Sequence, residues 1–162
     1  MIELGLQTSK DTSIEYIRRG YDNTIYEEAV KKLRDCGIEV VVHVILGLPG
    51  ETKEDMLNTI RYVNKTDIQE IKLQLLHVLE GTDMANDYRA GKFTTLSMEE
   101  YGDIICDVLE NLREDIVIHR ITGDGPKKIL LAPQWSGDKK KVLNYINRLI
   151  SDRNIIQGRR CK

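Results

Sequence analysis

Residues Val40–Thr52 read VVVHVILGLPGET, and this stretch decides the fold class. A β-branched run carries one histidine, His43, and breaks in a Gly-Leu-Pro-Gly turn at Gly47–Gly50. It then enters a segment whose Thr52 and Asp55 have the spacing of a reciprocal helix cap. Continuous apolar runs of this length fit a strand covered on both faces, as in parallel sheets. A histidine on such a strand needs a reason to be there. In α/β sheets ligands gather where strands end and helices begin, so the Gly47–Gly50 turn marks a candidate site.

Length and composition set the frame around that strand. A chain of 162 residues has room for one compact domain, and 41% hydrophobic with 31% charged residues is an ordinary globular composition. No apolar run approaches the roughly 20 residues of a spanning helix, so no membrane association is expected. The first residues, MIELGLQTSKD, have neither the basic nor the apolar region of an export leader. Cys36, Cys106 and Cys161 are far apart, which tells against a disulfide framework or a clustered metal motif and points to a reducing cytoplasm. The net charge of −2 hides an asymmetry, with 14 Lys and Arg against 23 Asp and Glu in residues 1–120 but 10 against 3 thereafter. A basic C-terminal segment suits an anionic partner such as RNA, or it is the solvated face of one helix carrying Lys139, Lys140, Lys141, Arg148 and Arg153.

Periodicity and caps predict the remaining elements. Residues 2–7 read as a strand, followed by a helix over 10–19 capped by Thr8 or Ser9 and ended by Gly20. Thr24 with Glu27 predicts the cap of a second helix that Gly37 closes, before a strand at 38–46 and a helix at 53–65. A strand at 70–78, a short helix over 83–90 and a helix over 98–112 begun by Ser97 and Glu100 come next. A strand at 115–121, a fifth at 128–133 and a helix over 138–153 complete the chain. Asp124, in a Thr-Gly-Asp-Gly stretch, reads as a turn former. Strands alternating with helices imply an α/β fold with right-handed crossovers and a parallel sheet.

Strand side chains alternate between faces. Ile2, Leu4, Leu6, Val42, Val44, Leu73 and Leu75 fall on one face; Glu3, Gly5, Gln7, His43, Lys72 and Gln74 fall on the other. Such a polar set is costly to bury without partners. It suits the inner wall of an incomplete barrel around a polar ligand, or a one-sided sheet whose polar face meets water.

Four blocks, in order, resemble the second half of a radical S-adenosylmethionine (SAM) enzyme. LGLQTS at Leu4–Ser9, with Arg19-Gly20 one helix later, is similar to the family's fourth barrel strand. HVILGLPGET at His43–Thr52 resembles the fifth strand and its turn, and IKLQLLHVLEGTDMANDYRAGKF at Ile71–Phe93 the sixth. Histidine at position 43, where coproporphyrinogen-oxidase-like members usually carry aspartate, resembles the branch containing the Elongator catalytic subunit. HRITGDGPKKILLAPQW at His119–Trp135 is similar to a bacterial subfamily near that branch, usually called Fe–S oxidoreductases.

The resemblance implies half of a radical-SAM-type (β/α) barrel at 1–95 and a helix–strand–helix extension at 96–162. It places Gln7 and Arg19 near the sulfonium, ribose or carboxylate of SAM, with Glu3 and His43 lining the same hollow and Gly5 and Gly47 leaving room for the ligand. A guanidinium suits a carboxylate, and a glutamine can donate and accept. The bland readings are that Arg19 compensates a helix dipole, Gln7 caps a loop and His43 is a satisfied core histidine.

One departure matters more than the match. The family's Cys-x3-Cys-x2-Cys run, which holds a [4Fe–4S] cluster, does not occur in these 162 residues. The chain is therefore expected to be a piece of a longer protein whose parent cleaves SAM to a 5′-deoxyadenosyl radical. The piece itself is expected to carry no cofactor and no activity, and no catalytic residue is assigned. Its expected partners are the missing N-terminal half-barrel, a second copy through the strand edge at 2–7, or RNA. The main alternative is a tRNA-binding module using the basic C-terminal segment. A complete small α/β protein with an accidental likeness would cover that edge with its own chain.

Overall fold

A computed structural model describes residues 1–123 and 125–161; Asp124, expected as a turn former, lies outside them. The main sheet has four parallel strands in the order β1 (Ile2–Gln7), β2 (Val40–Leu46), β3 (Glu70–Leu75) and β5 (Val117–Arg120). Helices α1 (Asp11–Tyr16), α2 (Asn23–Asp35), α3 (Lys53–Asn64) and α5 (Met98–Asn111) alternate with them, and α6 (Lys139–Asp152) follows. The α/β class and the parallel half-barrel order are as the sequence predicts.

Alternation along the strands divides the sheet. Ile71, Leu73 and Leu75 of β3 are buried, while Glu70, Lys72 and Gln74 between them are only half-buried. On β2, Val40, Val42, Val44 and Leu46 are fully buried, joining Leu6, Ile60, Val63, Ile105 and Val108 in one core. Burying each such side chain contributes about 1.5–3 kcal/mol, which anchors the register. Helix α5 is wedged between α3 and α6, so Tyr101, Ile104, Ile105, Val108 and Leu109 are all buried. Its Gly102 is packed so closely that a Cβ there would lie 2.6 Å from Leu149 Cδ1 and 2.8 Å from Tyr145 Cε1.

Three expectations need correction. The predicted strand at 70–78 divides: β3 stops at Leu75, and Val78–Leu79 forms a separate β4. The predicted fifth strand at 128–133 is reduced to β6 (Leu130–Ala132), which pairs antiparallel with β4 instead of joining the main sheet. An apolar run reports burial but not which sheet receives it; Ala132 buries with Leu48, Leu76, Val78 and Ala85 of α4 (Asp83–Arg89), and Leu131 packs against them. Caps are the third case. Thr52–Asp55 and Ser97–Glu100 form the reciprocal boxes expected, but Asp22 caps α2 and leaves Thr24 inside it. Lys10 precedes α1 without a side-chain cap, because the Thr8 and Ser9 hydroxyls bond across to Glu51 and Thr59.

Strand β1 ends the sheet on one side, and among the described residues no strand pairs with its outer edge. The C-terminal residues do not reach it. Gln157 Nε2 donates to the carbonyls of Arg113 and Ile116, and the Arg160 amide to that of Glu110, at the opposite side of the sheet.

Candidate functional site

The half-buried sheet face carries a continuous row of hydrogen-bonded side chains. In the parallel register His43 sits beside Lys72 and Ile45 beside Gln74, while Glu3 lies next to Val41, one place diagonal to His43. Lys72 Nζ donates to Glu3 Oε1 at 2.5 Å, His43 Nε2 lies 2.6 Å from Glu3 Oε2, and Gln74 Nε2 lies 2.9 Å from His43 Nδ1. Lys72 and then His43 hold the Glu3 carboxyl below its usual range. A separate close pair, His119 Nε2 and Glu70 Oε2 at 2.6 Å, lies toward β5. Side-chain exposures of 15% for Lys72, 25% for His43 and 47% for Glu3 make this a wall that is partly sheltered and still reachable.

At the carboxyl ends of β2 and β3 the wall opens into a cavity of about 300 Å³, lined by Ile45, Gln74, Leu76, His77 and Arg120 among others. Gly123 and Gly125 approach the His77 ring so closely that a Cβ would lie 2.6 Å from its Cε1 at the first and closer still to its Nδ1 at the second. A larger cleft of about 600 Å³ opens among the C-terminal ends of α3 and α5 and the tail. There Arg61, Arg113 and Arg160 pair with Glu54, Asp115 and Glu110, and Lys65 also lines the cleft.

The other predicted residues shape the strand ends. Gln7 has φ +59°, the register with β2 breaks between Gly5 and Gln7, and its side chain folds back over Gly5. With the amide turned so that its nitrogen faces the backbone, it donates to the Gly5 and Leu6 carbonyls, each at 3.1 Å. The space beside Gly5 is thus taken by Gln7. That beside Gly47, at φ +88°, is taken by Leu96, whose Cδ1 would lie 2.8 Å from a Cβ.

Arg19 does not join the Glu3–His43 row. Its Nη1 donates to the Leu6 and Thr8 carbonyls at 2.7 and 3.1 Å, Nε to Tyr21 O at 2.8 Å and Nη2 to Asn23 Oδ1 at 2.9 Å. The Tyr21 hydroxyl donates to the Gly5 carbonyl. These contacts clamp the end of β1 from outside.

Behind that clamp, Glu51 Oε1 accepts from the buried Thr8 hydroxyl at 2.6 Å. Burial pushes the Glu51 carboxyl up, and its other oxygen makes no hydrogen bond among the described residues. Sequence reading missed this residue as a functional candidate. Lys72 and Gln74 were visible only as polar members of a strand face; their contact with Glu3 and His43 depends on register.

The family model of the Radical SAM superfamily matches residues 1–63, and that of the Radical_SAM C-terminal domain matches residues 68–151. The chain belongs to the radical SAM superfamily. Uncharacterized protein YtqA of Bacillus subtilis is 42% identical over 158 residues, covering 98% of this chain and 49% of that protein. Protein YhcC of Escherichia coli is 30% identical over 154 residues, covering 95% and 50%. A tRNA uridine(34) acetyltransferase of Methanocaldococcus jannaschii is 26% identical over 90% of this chain and 27% of its own. The solved structure of Methanocaldococcus infernus Elp3 with an N-terminal deletion superposes with a TM-score of 0.79 at 21% identity, over 98% of this chain and 37% of that one. That likeness shows a shared fold. This radical SAM chain spans about half the length of YtqA and YhcC.

Full-length radical SAM proteins use a thiolate-held [4Fe–4S] cluster. The thiols in this chain do not fit one: Cys36 is exposed at the end of α2, Cys106 is buried in α5, and Cys161 lies in the tail 3.4 Å from Asn64 Nδ2. Among the described residues no three His, Cys, Asp or Glu side chains gather to hold a metal ion. No described helix is long and apolar enough to cross a membrane.

Proposed function

We propose that residues 1–95 form the second half of a radical SAM partial barrel and that residues 96–162 are an extension packed on it. The Lys72–Glu3–His43–Gln74 row is then one wall of the cavity that holds SAM. When bound in the full-length protein, the cluster and SAM together supply a 5′-deoxyadenosyl radical by reductive cleavage. What this chain supplies is binding and orientation. Glu3 and His43 offer an ionised acceptor and a ring to the ligand's polar groups, Gly47 and Leu96 close the turn behind it, and Gln7, Gly5 and Arg19 fix the end of β1. The observation that carries this reading is the row itself, a set of hydrogen-bonded charged and polar side chains on the half-buried face of the sheet.

The same reading assigns the outer edge of β1 to an N-terminal half-barrel, because an edge with free amides and carbonyls pairs with another strand. In a preparation of this chain alone, that edge would pair with a second copy. With free thiols, a cytoplasmic setting fits.

The test uses the full-length protein, reconstituted anaerobically and assayed for 5′-deoxyadenosine release from SAM. Glu3→Gln and His43→Ala should each lower cleavage at least about 10-fold. Unchanged cleavage in both variants refutes the assignment of the wall. The isolated chain treated in the same way should take up no iron or acid-labile sulfide.

A second reading is a tRNA-binding module acting through the basic C-terminal segment. The relative named as a tRNA uridine(34) acetyltransferase supports it. Against it, Arg153 pairs with Asp103 and Arg148 with Asp152, which removes part of the positive field of α6. A gel shift with unmodified tRNA at two salt concentrations decides, since phosphate contacts weaken steeply with salt.

A further inference from the structure

The row on the sheet face has a direction. Glu3 is an acceptor only when ionised, and Lys72 donates to it at 2.5 Å. The His43 nitrogen that faces Glu3 at 2.6 Å is Nε2, so in a neutral ring Nε2 carries the proton and Nδ1 is left as an acceptor. Gln74 faces Nδ1 at 2.9 Å, and only its NH2 group can donate there. The amide orientation follows from Glu3 by way of the ring, independently of how the two amide atoms are told apart. Titratable groups that meet His43 come from both neighbouring strands, Glu3 from β1 and Lys72, through Glu3, from β3; Val41 and Ile45 on its own strand are apolar.

Gln74 also lines the 300 Å³ cavity at the strand ends. Its Oε1 makes no hydrogen bond among the described residues. The surroundings are largely apolar, with Ile45, Leu76, Leu79 and Pro126, while His77 and Arg120 have partners of their own.

We propose that Gln74 is a specificity-determining residue: Glu3, acting through His43, turns its amide so that Oε1 is an acceptor presented to the cavity at the strand ends, and the ligand group that enters this cavity is an N–H or O–H donor on an apolar body. The relay concerns the wall as it stands and does not depend on which cofactor lies against it.

The test is nuclear magnetic resonance on the 162-residue chain with 15N-labelled histidine and glutamine at neutral pH. The three histidines are told apart by single substitutions. His43 should show a protonated Nε2 and an unprotonated Nδ1; a protonated Nδ1 in the neutral ring overturns the relay at once. Glu3→Gln should release the tautomer and move the Gln74 side-chain NH2 signals, whereas unmoved signals overturn the coupling. Phenol and anisole then serve as probes, the methyl group of anisole standing where phenol carries its donor hydrogen. Phenol should bind about 5-fold more tightly than anisole, as one net hydrogen bond implies, and Gln74→Leu should erase the difference. Equal binding of both probes, or of neither, overturns the acceptor assignment. Unchanged His119 signals in each variant report that the sheet is intact.

Discussion

Glu3 on β1 and His43 on β2 meet at 2.6 Å across two strands whose pairing places them diagonally, and Lys72 from β3 closes on the other oxygen of the same carboxylate. Three consecutive strands of a parallel sheet therefore share one charge. The helix-covered face of the same strands is apolar throughout, so the cost of holding that charge falls on the face open to a ligand.

Glu3 gives a pH-dependent signature. Its folded carboxyl lies below the usual value of 4.5, through Lys72 first and His43 second. A carboxyl depressed in the folded state stabilises above its unfolded value and loses that contribution as pH falls through the folded one. The stability gap between the parent chain and Glu3→Gln should be constant near neutrality and close on acidification below about 4.5. Urea titrations at three pH values check this.

Glu51 carries the opposite sign. Burial raises its carboxyl above 4.5, so ionisation at neutral pH works against the fold. Glu51→Gln should raise the melting temperature at pH 7, and the gain should vanish as pH falls toward 4.5, where the parent carboxyl is also protonated. Melting curves of both proteins across this interval provide the measurement.

Arg19 serves structure through a planar fork that reaches four acceptors around the end of β1. Lysine cannot reproduce that geometry and leaves carbonyls unsatisfied. Arg19→Lys should cost about 1–3 kcal/mol in denaturant unfolding. It should also speed hydrogen exchange at Thr8, Ser9 and Lys10 more than in α5.

Gly102 tests the packing of the extension. Alanine is favoured over glycine in a helix by about 1 kcal/mol, yet the new Cβ would collide with Leu149 and Tyr145. Overpacking costs typically about 1–3 kcal/mol, so Gly102→Ala should be destabilising on balance. Gly102→Ala combined with Leu149→Ala should recover part of the loss. Chemical denaturation of the single and double variants supplies the comparison.

Strand β2 and the Thr52–Asp55 and Ser97–Glu100 caps were legible because they depend on neighbours in the chain: branched residues in a run, and reciprocal spacing of three. The capping of α2 by Asp22 was not, since two overlapping cap patterns compete and packing of Tyr26 and Val30 chooses between them. Of the residues proposed for the site, Glu3 and His43 come together, while Gly47 sits behind Leu96 and Arg19 turns outward to the backbone. A side chain's type and strand face can be read from alternation; its rotamer and partner cannot.

The sequence by itself determined the parallel α/β arrangement and the apolar and polar faces of the sheet, because periodicity is written along the chain, and it carried the blocks whose resemblance pointed to radical SAM proteins. Only the tertiary structure decided that β6 leaves the main sheet for β4, and that Lys72 and Gln74 complete the row begun by Glu3 and His43. Both outcomes depend on register and burial between segments distant in sequence, where the energy of a contact depends on what lies across from it rather than on what precedes it.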